Sequence, residues 1–546
     1  MNKKLTLAIF SLISFNLFSQ NVYQTPPMGW NSWDCFGFQI VESQVKATAD
    51  YMSDNLKSHG WEYVVIDMGW YFAPSMTSND GQLKNPPQSI DEWGRLIPDT
   101  IKFPSAKGNN GMKPLADYIH SKGLKFGIHI MRGIPWKAVS KNTPIKNSTL
   151  KAADISDSKN NCAWSTAMIG ISNSKPGMQE YYNSLFELYA SWEIDYIKVD
   201  DIAREFHDKD MLAIESAIAN CGRPIFLSLS PGAAPLAHAD FFQQHANAYR
   251  VSNDFWDHWS FIIEQFKYCN NWSKYIIPGH WPDADMLPFG KLRISGPDNW
   301  VASLLKDKPQ NTVNQLSRFT DVEKQTVFTL WNIFRSPLMY GGYFPESDPF
   351  SIEMLKNDEI IQVGKNSTNN KQLFKTATNV AWVADIPNEK AKYIALFNIS
   401  ALSADVAISN DQLGISKSFR VRDSWLHSDL GNFETTFTAT LPAHGAGMYK
   451  IEYDSLNTSV KQLNSSVEVY PNPANNVITI SGENFSGNAT TLEIYSVKGQ
   501  LVRKIDIHNQ LNSNKPLDVS FLKNGIYLLK ISDKLSSRSS VLTIKH

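Results

Sequence analysis

The sequence predicts an α/β fold in which a (β/α)8 TIM barrel is followed by an antiparallel β-sandwich and a small all-β carboxyl-terminal domain. Between about residues 25 and 340, short apolar runs alternate with amphipathic helical stretches, as strands and helices alternate around a parallel sheet. Eight such runs occur, the number that closes a barrel. From about residue 350 the helical pattern ends, and a length of 546 residues allows about two or three domains.

The predicted barrel strands are continuous apolar runs, which are typical of strands buried on both faces. They cover residues 28–30, 63–67, 124–130, 194–200, 224–229, 248–251, 275–278 and 337–340. The amphipathic stretches predict helices over residues 42–58, 178–192, 210–220 and 321–334. A doubly wound open sheet is the alternative fold, but no Gly-rich phosphate-binding loop follows any of these strands, which disfavours it.

The domain boundaries follow from changes in this pattern. Short alternating stretches such as 379–384, 393–398 and 447–452 predict the antiparallel strands of a sandwich. A Ser- and Asn-rich segment then predicts a linker, and repeated short strands with Asn and Gly turns predict the last, all-β domain. The predicted domains are the barrel at residues 20–349, the sandwich at 350–453, the linker at 454–466 and the carboxyl-terminal domain at 467–546.

Residues 1–19 are predicted to be a secretory signal peptide. Lys3 and Lys4 precede an apolar stretch over residues 5–18 that is too short to span a bilayer. No cysteine follows this stretch, which disfavours a lipid anchor there, and no later segment is long and apolar enough to be a transmembrane helix. We therefore expect an exported protein with no transmembrane segment.

Composition excludes some classes of partner. The 52 basic and 53 acidic residues nearly cancel, so no nucleic-acid or anionic-membrane partner is expected. The four cysteines match neither a disulfide framework nor a zinc-binding pattern, and we interpret them as buried free thiols or as forming at most one or two bridges. They are Cys35, Cys162, Cys221 and Cys269. Neither a metal nor a cofactor is predicted, because no recognisable ligand spacing is present.

Carboxylates follow two of the predicted strands. Asp200 ends one of them, and Lys198 lies on the same face of that strand, where its charge would keep Asp200 ionised as a nucleophile requires. Arg250 and Asp254 lie near the end of another strand. Glycosidic bond cleavage needs two carboxyl groups that flank the bond, and Asp200 with Asp254 meets this condition. A purely structural ion pair between Lys198 and Asp200 is the alternative interpretation.

Four stretches occur in order along the predicted barrel: Thr25-Pro-Pro-Met-Gly-Trp-Asn-Ser-Trp-Asp-Cys-Phe-Gly37, Tyr196-Ile-Lys-Val-Asp200, Arg250-x3-Asp254 and Trp281-Pro-Asp-Ala-Asp-Met-Leu287. Together they resemble glycoside hydrolase family 27, which contains α-galactosidases and α-N-acetylgalactosaminidases. The resemblance implies a cofactor-free, retaining double displacement with Asp200 as the nucleophile and Asp254 as the acid/base. In such an enzyme the two carboxyl groups lie about 5–5.5 Å apart.

The resemblance also implies a carbohydrate substrate and a set of substrate-binding residues. Trp33 matches a tryptophan that stacks on the sugar, and Asp67 matches a carboxylate that binds the 4- and 6-hydroxyl edge of galactose. Lys198 matches a lysine that reaches the 3- and 4-hydroxyls, and Arg250 an arginine near the 2-position. The full set is Trp33, Asp67, Met68, His129, Lys198, Ser228, Arg250, Asp285 and Met286, of which the last two match residues that line the pocket floor.

Several positions depart from the family pattern. Met68 stands where a second aspartate is usual, so a charge-assisted hydrogen bond to an axial hydroxyl is lost. His129 replaces a usual tyrosine and either lines the site or is a satisfied core histidine. The loop that begins at Ser228 lacks a glutamate found near the 2-hydroxyl, which would admit an N-acetyl group or reflect a different aglycone. Ile202 stands where a disulfide cysteine is common.

These departures leave the sugar open. An α-galactoside is the leading substrate, and the alternatives are an α-N-acetylgalactosaminide, a β-L-arabinopyranoside and an isomaltose-type α-glucoside. A non-catalytic carbohydrate-binding protein is the alternative from another class. The presence of both Asp200 and Asp254 disfavours it, since a binding module has no need for an aligned pair.

The carboxyl-terminal domain contains two further motifs, Tyr470-Pro-Asn-Pro-Ala474 and Gly525-Ile-Tyr-Leu-Leu-Lys530. They resemble the carboxyl-terminal sorting domain of Bacteroidetes type IX secretion cargo. This resemblance implies that the type IX secretion machinery is a partner and that the protein is secreted or reaches the cell surface. An adhesion or carbohydrate-binding β-sandwich is the alternative.

Overall fold

The computed structural model describes residues 23–76, 84–295, 314–416, 418–453, 468–481, 491–497, 499–507, 516–532 and 537–546. The chain divides into two compact units between Asp454 and Ser455. The predicted signal peptide and the predicted linker at 454–466 lie outside the described residues. The two units are therefore described separately.

Eight parallel strands form the first sheet, and it curls into the predicted barrel. Its strands are β1 (Met28–Asn31), β2 (Tyr63–Ile66), β3 (Lys125–Met131), β4 (Tyr196–Asp200), β5 (Phe226–Leu229), β6 (Ala248–Arg250), β7 (Trp281–Asp283) and β8 (Leu338–Tyr340). The hydrogen-bonded order runs β7-β6-β5-β4-β3-β2-β1-β8. Leu287, which follows β7, forms a parallel bridge with Tyr340 of β8. Its amide donates to the carbonyl of Met339 at 2.7 Å and so joins the two edges of the sheet.

Helices follow the strands and cover the outside of the sheet. They are α1 (Glu42–Asn55), α2 (Lys113–Ser121), α3 (Met178–Ser191), α4 (Asp208–Asn220), α5 (Ala239–His245), α6 (Trp259–Trp272), α7 (Asp321–Phe334), α8 (Pro349–Met354) and α9 (Asp358–Lys365). The alternation of side chains along β2 explains the two cores. Val64 and Ile66 belong to the large outer core against the helices, whereas Tyr63 and Val65 belong to a smaller cluster inside the barrel.

The seventh predicted strand was wrong. Residues 275–278 were expected to form it, but Tyr275 ends a 3-10 helix and the strand begins at Trp281. The apolar run misled because Pro282 makes the true strand look unsuitable for a sheet. Trp281 donates to Asn247 and Asp283 accepts from Val251, so Pro282 faces the side without ladder bonds, where its missing N–H costs nothing.

Smaller strands and helices lie between the main elements of the first unit. Three short strands after β3, Ile134–Pro135, Ser156–Asp157 and Met168–Ile171, form a separate antiparallel sheet. The strands Lys291–Leu292 and Gln315–Leu316 pair with each other. Among the described residues, further short helices are Trp33–Phe36, Trp136–Lys141 and Ala152–Ile155 in the barrel and Asn410–Leu413 in the region that follows it, and short 3-10 turns lie at several connections.

The first unit continues into an antiparallel sandwich. Its strands are β9 (Thr368–Lys375), β10 (Asn379–Asp385), β11 (Ala391–Asn398), β12 (Ala404–Ser409), β13 (Phe419–Asp423), β14 (Ser428–Phe433), β15 (Thr436–Leu441) and β16 (Ala446–Tyr453). A six-stranded sheet in the order β9-β10-β11-β16-β13-β14 faces the pair β12–β15 across a shared core that includes Ile394, Val406 and Ile451. The predicted sandwich fold is confirmed.

The second unit is entirely β within its described residues. Its strands are β17 (Glu468–Tyr470), β18 (Val477–Ser481), β19 (Thr491–Ser496), β20 (Leu501–Asp506), β21 (Leu517–Asp518), β22 (Gly525–Ser532) and β23 (Ser537–Ile544). Within the described residues they form a three-stranded sheet, β17-β18-β21, and a four-stranded sheet, β20-β19-β22-β23. This unit has a hydrophobic core of its own, which includes Ile478, Leu492, Leu529 and Leu542.

Two other predictions concern the whole chain. All four cysteines are free thiols, as one of the two interpretations held. Across the described residues, every helix is too short or too polar to cross a bilayer.

Candidate active site

One group of charged side chains lies at the carboxyl ends of β2, β3 and β4. Asp67 directly follows β2, His129 lies on β3, and Lys198 and Asp200 lie on β4. His129 is opposite Lys198 in the parallel register. Lys198 and Asp200 point the same way because alternate residues of a strand share a face. Three neighbouring strands therefore bring these four residues to one side of the barrel mouth.

Asp200 is held by two hydrogen bonds. Its Oδ1 accepts from the backbone N–H of Asp201 at 2.8 Å, and its Oδ2 lies 3.2 Å from Nε2 of His129. Burial raises the pKa of Asp200, but His129, Lys198 and the Asp201 amide together outweigh burial and bring the pKa below its ordinary value. Asp200 is therefore a carboxylate at neutral pH.

Lys198 pairs with Asp67. Its Nζ donates to Oδ2 of Asp67 at 2.7 Å, and Asn31 donates to the same oxygen at 2.8 Å. Burial lowers the pKa of Lys198, but Asp67 and Asp200 raise it above its ordinary value, so the ammonium is permanent. The alternative of a structural ion pair between Lys198 and Asp200 is not what the structure shows, since Lys198 pairs with Asp67 and affects Asp200 only through its nearby charge.

A second group lies at the carboxyl ends of β6 and β7. The guanidinium of Arg250 is 2.8 Å from Asp254 through Nη2 and 2.8 Å from Asp285 through Nη1. Asp283 is opposite Arg250 in the register and accepts the Asp285 amide at 2.8 Å. Asp285 has a φ of 85°, which turns its carboxylate toward the Phe255 amide at 2.7 Å.

The two groups lie at the same end of the barrel, because both follow the carboxyl ends of strands of one parallel sheet. Burial raises the pKa values of both Asp283 and Asp285, and Arg250 and Lys198 lower them. For Asp285, burial and the neighbouring carboxylates outweigh Arg250, and the pKa rises to about 6. The side chain of Asp254 is 48% exposed, whereas that of Asp200 is 17% exposed. One carboxylate is thus open to water and the other is sheltered.

The remaining residues of the predicted set differ in their exposure. Trp33 is half-buried and packs edge-on against Phe38, with ring centroids 5.1 Å apart. Ser228 is buried and opposite Lys198 in the β4–β5 register. Met286 belongs to the apolar cluster inside the barrel, and Met68, which directly follows Asp67, is buried within the larger apolar cluster. Met68 therefore offers an apolar side chain beside Asp67.

Three polar residues near the site are absent from the predicted set. Asn31 binds Asp67, and Asp283 orders Asp285. Asp34 is buried, its Oδ2 has no hydrogen-bond partner, and burial together with Asp285 raises its pKa well above the usual range. All three lie within the stretches that carried the family resemblance. The available signal was their position: Asn31 ends β1, Asp34 lies in the short helix after it, and Asp283 ends β7.

Among the described residues, one group has the spacing to hold a metal ion, namely Asp117, His120 and Glu193. It lies at α2 and just after α3, away from the charged groups above. Lys113 already bridges Asp117 and Glu193, and Nε2 of His120 is 2.7 Å from Asp195. These charges therefore neutralise one another.

Carboxylates that converge on the carboxyl-terminal face of a (β/α)8 barrel are characteristic of glycosidases. The fold and the site define a glycoside hydrolase. The sequence family described as alpha galactosidase A matches residues 25–169 and 167–303. The chain belongs to this family, glycoside hydrolase family 27, as its motifs predicted.

Three relatives show the range of the likeness. A family 27 β-L-arabinopyranosidase from Geobacillus stearothermophilus, in complex with arabinose, is 43% identical, with a TM-score of 0.74 and coverage of 79% of this chain and 97% of that one. A Bacillus halodurans protein proposed to be an α-N-acetylgalactosaminidase is 40% identical, with a TM-score of 0.69 and coverage of 79% and 97%. Alpha-galactosidase 2 of Arabidopsis thaliana is 26% identical, over 80% of this chain and 91% of that protein.

The two following domains also match known families. Residues 376–451 match the alpha galactosidase C-terminal beta sandwich domain. Residues 468–545 match the secretion system C-terminal sorting domain. The predicted resemblance of the tail to a sorting domain is therefore confirmed.

Proposed function

We propose that this protein is an exported, exo-acting retaining glycosidase in which Asp200 is the nucleophile and Asp254 the acid/base. The contrast between the two carboxylates carries the proposal. Asp200 is sheltered, and His129 and the Asp201 amide hold it ionised. Asp254 is half-exposed, so it can exchange protons with water between the two steps, as an acid/base must.

In the first step, an Asp200 oxygen attacks the anomeric carbon and the bond to the leaving oxygen breaks. Asp254 gives its proton to that oxygen, and the sugar remains as an ester of Asp200. In the second step, Asp254 takes a proton from water, the water oxygen attacks the anomeric carbon, and the ester bond breaks. Two inversions retain the configuration.

The sugar is proposed to be a galacto-configured pyranose bound by Asp67 and Lys198. Their 2.7 Å ion pair presents both an acceptor and a donor to adjacent hydroxyls, one of them axial. Arg250, bonded to Asp254, is the donor proposed for the 2-position. Asp67 accepts from both Asn31 and Lys198, which fixes its remaining lone pairs in direction.

Among galacto-configured sugars, we propose that β-L-arabinopyranosides are preferred to α-galactosides. The two differ only in the hydroxymethyl group, which the arabinopyranoside lacks. Met68 is buried and apolar beside Asp67, the residue proposed for the 4- and 6-hydroxyl edge, so it offers no hydrogen bond to that group. The Geobacillus stearothermophilus enzyme, whose substrate is a β-L-arabinopyranoside, is also much closer in identity than the plant α-galactosidase. The α-galactoside expected from the motifs remains the second candidate.

A panel of nitrophenyl glycosides tests the substrate proposal. The panel contains β-L-arabinopyranoside, α-galactoside, α-N-acetylgalactosaminide and α-glucoside. We expect the highest kcat/KM for the β-L-arabinopyranoside and the lowest for the α-glucoside, whose equatorial 4-hydroxyl does not reach the Asp67–Lys198 pair. A higher kcat/KM for the α-N-acetylgalactosaminide than for either galacto sugar without an N-acetyl group would contradict the proposal.

Met68→Asp is expected to shift the preference toward α-galactosides. A charge-assisted hydrogen bond contributes about 1.5–3 kcal/mol, so the ratio of kcat/KM for α-galactoside over β-L-arabinopyranoside should rise about 10- to 100-fold. Met68→Leu keeps an apolar side chain of similar volume and is the matched control, with an unchanged ratio. An unchanged ratio in Met68→Asp, in a variant with wild-type thermal stability, would remove Met68 from the account of specificity.

The carboxyl-terminal domain is proposed to direct export through the type IX secretion machinery, to the cell surface or the medium. Removal of the residues after 466 should stop export but leave kcat/KM of the purified enzyme within about twofold, because the second unit has a hydrophobic core of its own. Full-length Asp200→Asn is the control and should be exported normally. Export of the truncated chain at the wild-type level would refute the sorting role, and a large loss of its activity would show that the tail serves catalysis.

A further inference from the structure

Arg132 directly follows β3 and is buried, with a side chain only 1% exposed. A buried guanidinium has to be paired and hydrogen-bonded, since an unpaired one is very costly. The partner of Arg132 is Asp201, the residue that follows β4 and the nucleophile candidate. The pair therefore connects the ends of two neighbouring barrel strands at the site.

The connection uses most of the guanidinium. Nη2 is 2.8 Å from Oδ2 of Asp201, and Nε donates to the carbonyl oxygen of Asp201 at 2.8 Å. Nη1 donates to the carbonyl of Asn160 at 3.1 Å. The backbone N–H of Arg132 also donates to the carbonyl of Asp200 at 3.0 Å. Arg132 thus holds both ends of Asp201, its backbone and its side chain.

The conformation that Arg132 holds is unusual. Asp201 has a φ of 57°, in the left-handed region that non-glycine residues adopt at some cost. In this conformation the Asp201 amide points back to Oδ1 of Asp200 at 2.8 Å. That amide is one of the groups that lower the pKa of Asp200, against the larger opposing effect of burial.

We propose that Arg132 and Asp201 are positioning residues that orient the carboxylate of Asp200, the proposed nucleophile, and favour its ionised form. Arg132 fixes the left-handed turn at Asp201, and that turn sets the amide that orients the attacking carboxylate. Next to Asp201 the chain has Ile202, where the family resemblance implies a disulfide cysteine. The Arg132–Asp201 ion pair joins the ends of β3 and β4 at this place. This inference rests on the proposed role of Asp200.

Arg132→Met tests the inference, because it keeps the volume of the stem and removes every donor of the guanidinium. We expect kcat to fall about 100-fold, since a small misplacement of a reacting group has effects of that size, while KM changes by less than about threefold. The acid limb of kcat/KM should move to higher pH, because Asp200 loses the hydrogen bond that lowers its pKa. A purely structural role would lower thermal stability and leave the pH profile in place.

Asp201→Asn is the conservative variant. Asparagine tolerates the left-handed conformation and keeps an oxygen for Arg132, so kcat should stay within about fivefold of the wild-type value. Arg95→Met is the matched control, because Arg95 is also buried, pairs with Asp91 and donates to the carbonyl of Ser184. It should affect stability only. Should Arg132→Met not fold, Arg132→Lys keeps the charge without the fork and should lower kcat about 10-fold.

Labelling with an activated fluorinated glycoside, which forms a slowly hydrolysed ester, separates this inference from the proposed function. Peptide mass spectrometry of the wild-type enzyme should find the sugar on Asp200, and Arg132→Met should label about 100-fold more slowly. A label on another residue would overturn the proposed function. A label on Asp200 that forms equally fast in wild type, Arg132→Met and Arg95→Met would overturn the positioning role alone.

Discussion

Asp200→Asn is expected to lose turnover by about five orders of magnitude in kcat/KM, the scale seen when a nucleophile is removed. The amide is nearly isosteric with the carboxylate and keeps an oxygen for the Asp201 N–H, but it cannot attack carbon. Thermal unfolding should change little. Asp208→Asn, which changes an exposed aspartate at the start of α4, is the control and should retain full activity.

Azide separates the loss of a nucleophile from other damage. In Asp200→Gly the missing side chain leaves room for azide on the same face of the sugar, so activity should return in part and the product should be a glycosyl azide of inverted configuration. Activity close to wild type in Asp200→Asn would contradict the assignment of Asp200 as the nucleophile. Activity that is lost without rescue in Asp200→Gly would point to a binding role for Asp200.

Asp254→Ala is expected to show the second-largest loss, and the loss should depend on the leaving group. A general acid contributes about 10²–10⁴-fold, and most of this contribution is lost for substrates whose leaving oxygen needs a proton. An alkyl glycoside should therefore lose the full factor in kcat/KM, and a dinitrophenyl glycoside much less. The basic limb of the pH profile should disappear.

The second step gives an independent check on Asp254. Azide needs no proton removed, so it should accelerate the variant by attacking the ester of Asp200, and the glycosyl azide should have retained configuration. An equal loss for the alkyl and dinitrophenyl substrates would mean that Asp254 binds sugar rather than protonates the leaving oxygen. The Asp200 variant should give a glycosyl azide of inverted configuration and the Asp254 variant one of retained configuration. The two results therefore distinguish the nucleophile from the acid/base.

The barrel was predictable because its strands are local apolar runs of the right length between amphipathic helices. Seven of the eight predicted strands overlap a barrel strand of the structure. The exception shows the limit of local patterns. Pro282 made Trp281–Asp283 look unsuitable as a strand, and only the pairing with β6 reveals that its missing N–H faces away from the ladder.

The site was predictable in part. The position of Lys198 and Asp200 on one strand follows from the two-residue period alone, and the roles of the other residues came from family resemblance. Which partner Lys198 binds did not follow, because Asp67 is 131 residues away in sequence and reaches it only when β2 and β4 lie on either side of β3. The ion pair between Arg132 and Asp201 could not be predicted for the same reason, because its two residues follow different strands.

The structure shows how His129 and Asp201 contact Asp200. His129 is not a satisfied core histidine, because its Nε2 contacts the Asp200 carboxylate while its buried Nδ1 has no hydrogen-bond partner. Asp201, which is outside the predicted set, donates its backbone N–H to Asp200. Both residues therefore contact the Asp200 carboxylate.

The stereochemistry of the first product tests the central claim most directly. Proton NMR of the wild-type enzyme with nitrophenyl β-L-arabinopyranoside, or with the α-galactoside should that be the better substrate, distinguishes the two anomers before they equilibrate in water. The double displacement through Asp200 and Asp254 predicts that the first sugar released has the configuration of the substrate. Release of the opposite anomer first would contradict it, because a single displacement by water would then account for the reaction and Asp200 would not be a nucleophile.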